Sequence, residues 1–108
     1  MPFLRMDDLA ESSPVPGYRF RFVHCENMTL AYWHVDAGAV LPAHRHPHEQ
    51  VSSVIEGQFE MTIEADAEVL GPGSVAVIPP NARHLGWAVT DCRVIDAFYP
   101  VREDYRDR

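Results

Sequence analysis

The sequence predicts an all-β domain, either a sandwich or a barrel of short strands. Along most of the chain, apolar residues alternate with polar ones at a period of two, as in strands that bury one face. Glycine, proline, asparagine and aspartate interrupt this alternation at close intervals, which is typical of tight turns. No segment after residue 12 keeps a helical period over three turns, and the chain contains nine prolines.

The strands can be placed from residue 18 onwards. The segment 18–22 (YRFRF) alternates aromatic residues with arginines, and 59–64 (FEMTIE) alternates apolar with polar residues. Further strands are predicted at 28–35, 50–55, 68–70, 74–78, 85–90 and 92–99. We expect residues 1–17, which show no clear period, to form an N-terminal arm, and residues 18–108 to form the barrel with a C-terminal tail. The arm could contain a short helical turn or pack on a neighbouring subunit.

Composition and charge exclude several classes of function. The chain has 108 residues, enough for one domain with a modest core. Its net charge of -7 argues against a nucleic-acid partner, and no apolar run is long enough to span a membrane. All nine basic residues are arginine, so lysine-based covalent chemistry is excluded. The acidic N-terminus does not resemble a signal peptide, and a cytoplasmic location is expected. We expect Cys25 and Cys92 to be buried, reduced thiols.

Histidines are concentrated in the stretch HRHPHEQ at 44–50. His44 and His46 lie two residues apart, so in an extended segment both side chains can bind the same ion. Gln50 follows shortly afterwards, and His84 begins a later predicted strand. These side chains predict a site for one divalent metal ion, and the ligand types leave Fe, Ni, Zn, Mn and Co open.

Two segments around these histidines resemble the motifs of the cupin superfamily. The first cupin motif reads Gly, five residues, His-x-His, three or four residues, Glu, six residues, Gly; residues 38–57 match it, with Gln50 in the Glu position. The second reads Gly, five residues, Pro-x-Gly, two residues, His, three residues, Asn; residues 73–88 match it, with Asn81 and Ala88 as departures. Asn81 suits the turn because asparagine tolerates the left-handed conformation. The resemblance implies a cupin double-stranded β-helix, or jelly-roll barrel, with a metal near its mouth.

The glutamine in the fourth ligand position is informative. Three neutral imidazoles and a neutral amide would leave a divalent cation with its full charge. This favours an anionic substrate and argues against redox chemistry that needs a stabilised higher oxidation state of the metal. By strand parity Glu49 should face away from His44 and His46, as an outer or surface acid. His48 could orient a ligand, border the substrate or lie in a solvent-facing turn.

The C-terminal strand carries an unusual acid. Asp96 falls on the apolar face of the predicted strand 92–99, where an acid is costly to bury unless it is paired, protonated or functional. It could act in proton transfer, or it could be a structural acid bound to backbone amides or to Arg93. Arg102, taken alone, would be a surface arginine.

The segments HPHEQ and DAFYPVRED resemble the KdgF-like pectin-degradation subgroup of single-domain cupins. That resemblance implies linearisation of 4,5-unsaturated uronates. By position, it makes His44, His46, Gln50 and His84 the metal ligands. It makes Asp96 the proton shuttle, Phe98 a wall for the sugar ring and Arg102 a catalytic residue that also clamps the substrate carboxylate.

Two other functions remain compatible with the sequence. One is a non-haem metal dioxygenase on the same scaffold, and the other is a non-catalytic module that binds a small anionic molecule such as a sugar acid. We also expect a homodimer, because the edge strands of small jelly rolls often pair across subunits.

Overall fold

The structure, a computed structural model, describes residues 3–106, which form nine strands and two short 3-10 helices. The strands are β1 (Tyr18–His24), β2 (Thr29–Val35), β3 (Val40–His44), β4 (Glu49–Glu56), β5 (Phe59–Ile63), β6 (Asp66–Leu70), β7 (Val75–Ile78), β8 (His84–Ala88) and β9 (Cys92–Tyr99). The helices are Met6–Asp8 and Glu103–Tyr105. Within residues 3–106, no helix is both long and apolar enough to cross a membrane.

The strands form two antiparallel sheets that face each other. One sheet has the order β1-β2-β9-β4-β7, and the other has the order β3-β8-β5-β6. Residues alternate between the inner and outer faces, as in β9, where every second side chain is buried. The inner faces enclose one apolar core, to which Tyr18, Val35, Val54, Phe59, Ile78 and Val94 contribute. This arrangement is the predicted all-β jelly roll.

The strand boundaries agree with the prediction within about two residues, with one omission. The predicted strand 92–99 matches β9 at both ends. Strand β3 was not predicted, because its sequence VLPAH does not alternate regularly between apolar and polar residues and contains Pro42. It lies at the edge of its sheet, where proline is tolerated, and its pairing with β8 shifts register between Leu41 and His44.

Both ends of the described chain pack against β1. In the N-terminal segment, Ser12 and Phe20 exchange two backbone hydrogen bonds of 2.9 Å. Near the C-terminus, the ring of Tyr105 stacks on Phe22, with 4.6 Å between centroids. The backbone N–H of Arg102 donates to the buried Thr29 hydroxyl at 2.9 Å. These contacts hold the C-terminal segment over one end of the barrel.

The expectation of two buried thiols is correct for one cysteine only. Cys92 is buried at the start of β9, where its thiol donates to backbone carbonyls. Cys25 is exposed, because it lies just past the end of β1 in the turn that leads to β2. Neither forms a disulfide.

Glycines at two turns provide a test of the fold. Gly57 and Gly38 have nearly equal positive φ angles, 84° and 83°. A Cβ atom at Gly57 would collide with the Asp91 carbonyl oxygen, whereas a Cβ atom at Gly38 would meet nothing within 4 Å. We expect Gly38→Ala to lower the free energy of unfolding by about 1–2 kcal/mol, the cost of a left-handed L-residue. Gly57→Ala should cost clearly more, because the collision adds to that strain. Urea denaturation of both variants measures the difference; equal losses would contradict the predicted collision.

Candidate metal centre

The structure brings the three predicted histidines together at one end of the barrel. His44 ends β3 and His84 begins β8, and the two are directly paired across these strands. His46 lies two residues past the end of β3, and its backbone carbonyl accepts a 2.8 Å hydrogen bond from the Asn81 N–H. Each histidine offers a ring nitrogen, and these three atoms lie within 4.8 Å of one another. The predicted left-handed conformation of Asn81 is confirmed, with φ of 66°.

Backbone carbonyls determine which nitrogen each histidine presents. In each of the three rings, Nδ1 donates a hydrogen bond to a backbone carbonyl oxygen. The pairs are His44 with Pro42 at 2.9 Å, His46 with His48 at 3.0 Å and His84 with Ala82 at 2.9 Å. Because a carbonyl only accepts, Nδ1 carries the proton and Nε2 is left with a lone pair. The Nε2 atom of His84 is buried and has no hydrogen-bond partner among the described residues. These imidazoles are therefore in the form that binds a metal.

A chain of hydrogen bonds fixes the orientation of Gln50. The Ser52 hydroxyl donates to Asp96 Oδ1 at 2.5 Å, so it must accept from Gln50 Nε2, which lies 3.0 Å away. This turns Gln50 Oε1 towards His46 Nε2, at 3.0 Å. The single ring proton of neutral His46 is on Nδ1, where it is donated to the His48 carbonyl. The lone pairs of His46 Nε2 and Gln50 Oε1 therefore face each other with no hydrogen between them. Such an arrangement suits two atoms that share a cation, and the residues present therefore fit a divalent metal ion.

The buried histidines of this cluster favour their neutral form. Burial, with the nearby positive charge of Arg102, lowers the pKa of His46 to about 4. Burial also lowers the pKa of His84. Imidazoles must be neutral to bind a metal, so this electrostatic environment favours metal binding.

Asp96 lies on β9 directly opposite Ser52 of β4, inside the barrel. It is not paired with Arg93, which lies on the outer face and forms an ion pair with Glu56 at 3.5 Å. Burial raises the pKa of Asp96 to about 6, although the hydrogen bond from Ser52 opposes that rise. A carboxyl group with such a pKa can both accept and return a proton near neutral pH.

Arg102 is buried, unlike a lone surface arginine. Its guanidinium lies 4.8 Å from the centroid of the Phe98 ring and 4.0 Å from that of Tyr105. Asp104 holds one edge of it, with Nε–Oδ1 and Nη2–Oδ2 distances of 3.0 and 2.7 Å. Nη1 stays outside that pair. Phe98 is buried and its ring contacts His46 edge-to-face, with 5.7 Å between centroids.

The neighbouring His48 and Glu49 take different positions. Glu49 is exposed while Gln50 is buried, as strand parity predicted. His48 is half-buried and orients His46 through its backbone carbonyl, not through its ring. Its own ring lies near the edge of Phe98, with 6.5 Å between centroids.

A cavity of about 60 Å³ lies between the two sheets, next to the histidines. Its lining includes His44, His46, Gln50, Asp96, Phe98 and Arg102. Every residue assigned a role by the resemblance therefore borders this cavity, except His84. The ring centroid of His84 lies 4.1 Å from that of His44.

Sequence reasoning missed two residues that connect the site. Ser52 is two residues after Gln50, on the same face of β4, so the period of two could have indicated it. Asp104 lies in the charged tail REDYRDR, where nothing in the pattern distinguishes one acid from another.

Comparisons with known proteins agree with this geometry. Residues 31–98 match the model of the cupin domain family. The pectin degradation protein KdgF of Dickeya dadantii is 29% identical over 82 residues, covering 74% of each chain. The crystal structure of an RmlC-like cupin from Shewanella frigidimarina has a TM-score of 0.91 at 27% identity, covering 97% of this chain and 96% of that one. KdgF from Halomonas sp. has a TM-score of 0.88 at 31% identity, covering 94% and 97%. The chain belongs to the cupin domain family and is a KdgF-like cupin.

Proposed function

We propose that the protein is a metal-dependent enzyme that opens the ring of 4,5-unsaturated uronates without net oxidation. The observation that carries this proposal is the buried Asp96 carboxyl, which is linked through Ser52 to Gln50 at the edge of the histidine cluster. The similarity to two KdgF proteins, one of them named for pectin degradation, supports this choice of substrate.

In this proposal His44, His46, Gln50 and His84 hold one divalent ion, with Fe, Ni, Zn, Mn and Co all compatible with the ligand types. The facing lone pairs of His46 and Gln50 support the assignment. When bound, such an ion would act as a Lewis acid and stabilise negative charge that develops on a substrate oxygen. Because all four ligands are uncharged, they leave the site attractive to an anion.

Arg102 and Phe98 would position the substrate. Asp104 takes up Nε and Nη2 of Arg102, so the substrate carboxylate would be bound from the Nη1 side. The edge-on contact with His46 places the Phe98 ring beside the proposed metal ligands, where it can form one wall for the sugar ring.

Asp96 would move the proton. An unsaturated uronate is a cyclic enol ether with a hemiacetal hydroxyl at carbon 1. Asp96 accepts the proton of that hydroxyl, the bond between carbon 1 and the ring oxygen breaks, and carbon 1 becomes an aldehyde. The released electron pair is delocalised over the former ring oxygen and carbon 4. Protonation of carbon 4 by Asp96, or by a water that it orients, gives the open-chain keto acid. Atoms and electrons balance without an oxidant.

Ultraviolet absorbance tests this function directly. Purified, metal-loaded protein mixed with 4,5-unsaturated galacturonate under argon should remove the conjugated absorbance of the substrate. A requirement for oxygen would indicate the dioxygenase alternative. Binding of the substrate without loss of absorbance would indicate a non-catalytic binding module.

We expect Asp96→Asn to lower turnover of 4,5-unsaturated galacturonate by about 10²–10⁴-fold, the usual contribution of a general acid-base group. Metal content, measured by elemental analysis, should stay at the wild-type level, since Asp96 is not among the proposed ligands. Asp66→Asn, at an exposed position of β6, serves as the control and should behave like wild type. Normal turnover by Asp96→Asn would eliminate the proposed role.

Metal binding should stabilise the fold. After treatment with a chelator, addition of Zn²⁺ or Ni²⁺ at about 100 times its dissociation constant should stabilise the protein by about 2.7 kcal/mol, seen as a rise in Tm. His84→Ala should abolish the rise, because one of three converging imidazoles is lost. His34→Ala, on the outer face of β2, should retain it. A full rise in the His84 variant would contradict the proposed ligand set.

A further inference from the structure

Two buried hydrogen-bond donors in the cavity have no role in the function proposed above. Tyr18 on β1 and Trp33 on β2 both line the cavity that the histidines border. The Tyr18 hydroxyl and the Trp33 indole N–H are buried, and neither has a partner at good hydrogen-bond geometry among the described residues. The two rings are in edge-to-face contact, with 5.6 Å between centroids and an interplanar angle of 87°.

Unpaired buried donors are costly because they lose their hydrogen bonds to water, so a protein seldom retains them without a use. Phenylalanine in place of Tyr18 would fill the same core position without that cost. Packing therefore accounts for the ring of Tyr18, which is only 3% exposed, but not for its hydroxyl group.

Asp96 lines the same cavity as both donors. The Trp33 indole lies near enough to the Asp96 carboxyl to favour its charged form. Burial raises the pKa of Tyr18, and the charges of Cys92 and Asp96 raise it further. The cavity thus brings two donors and one acceptor together. A hydroxyl group matches this set, because it can accept from the donors and donate to the carboxylate. The volume of about 60 Å³ exceeds the roughly 15 Å³ that one water-sized group needs.

We infer that Tyr18, Trp33 and Asp96 form a hydroxyl-binding subsite that recognises a ring hydroxyl of the sugar acid. This inference rests on the proposed function and adds residues that determine substrate specificity. Charge orients the ligand: the Asp96 carboxylate repels a second carboxylate, whereas the Arg102 guanidinium attracts it. The hydroxyl-bearing side of the sugar would therefore enter the cavity, with its carboxylate towards Arg102.

Binding of two ligands to metal-loaded protein tests the subsite. D-galacturonate carries both hydroxyls and a carboxylate, whereas tetrahydropyran-2-carboxylate has the same ring type and carboxylate but no hydroxyls. By isothermal titration calorimetry, Tyr18→Phe should bind D-galacturonate about tenfold more weakly than wild type, since one donor to a hydroxyl is lost. Its affinity for tetrahydropyran-2-carboxylate should be unchanged. Trp33→Phe, which removes the other donor, should show the same selective loss.

Tyr32→Phe is the matched control, because it removes a tyrosine hydroxyl from the outer face of β2. It should bind both ligands like wild type. The Tm of Tyr18→Phe should be no lower than that of wild type, because the lost hydroxyl has no hydrogen-bond partner within residues 3–106.

Three results would overturn the subsite: equal galacturonate affinity in wild type and Tyr18→Phe, equal losses for both ligands together with a lower Tm, or no binding of galacturonate by wild type. The absorbance assay separates these from a failure of the proposed function. Selective binding without turnover would support the subsite and refute the enzyme. Turnover that is insensitive to Tyr18→Phe would support the enzyme and refute the subsite.

Discussion

The pairing register between β4 and β9 is the constraint on which the site depends. It places Ser52 opposite Asp96 and Gln50 opposite Phe98, all on the inner face. A slip of one residue would turn these side chains outwards and bring the exposed Glu49 into the barrel. The hydrogen bonds from Gln50 through Ser52 to Asp96 exist only in this register, and they determine which amide atom of Gln50 faces His46. Structural pairing and site chemistry are thus set by the same strand contacts.

The two sheets contribute different parts of the site. The four-stranded sheet supplies His44 and His84 on paired strands, and the five-stranded sheet supplies Gln50 and Asp96. The proposed metal ligands are uncharged. The buried Asp96 is linked to Gln50 through Ser52, and the buried Arg102 lies over the ring of Phe98. One small cavity is therefore lined by both a positive and a negative group, which together can orient a ligand that carries a carboxylate and hydroxyls.

Much of this arrangement could be predicted from the sequence, because it rests on local patterns. Alternation with a period of two locates β9 without error, and the turn chemistry of Asn81 predicts its left-handed backbone. Where local pattern and tertiary context disagree, prediction fails. Strand β3 lacks alternation because it is an edge strand, and Cys25 is exposed because β1 ends just before it.

The all-β class and the faces of the strands follow from side-chain periodicity and turn preferences, and the chain order shows which residue types are available for a site. The tautomers of the histidines, the link through Ser52 and the bidentate contact of Asp104 with Arg102 depend instead on contacts made in the folded chain. Tyr18 and Trp33 likewise become binding candidates only because β1, β2 and β9 are neighbours in one sheet, which places both residues with Asp96 in the lining of one cavity. Hydrogen-bond partners depend on strands that are distant in the chain, and periodicity within one strand carries no information about the neighbour that its buried atoms will meet.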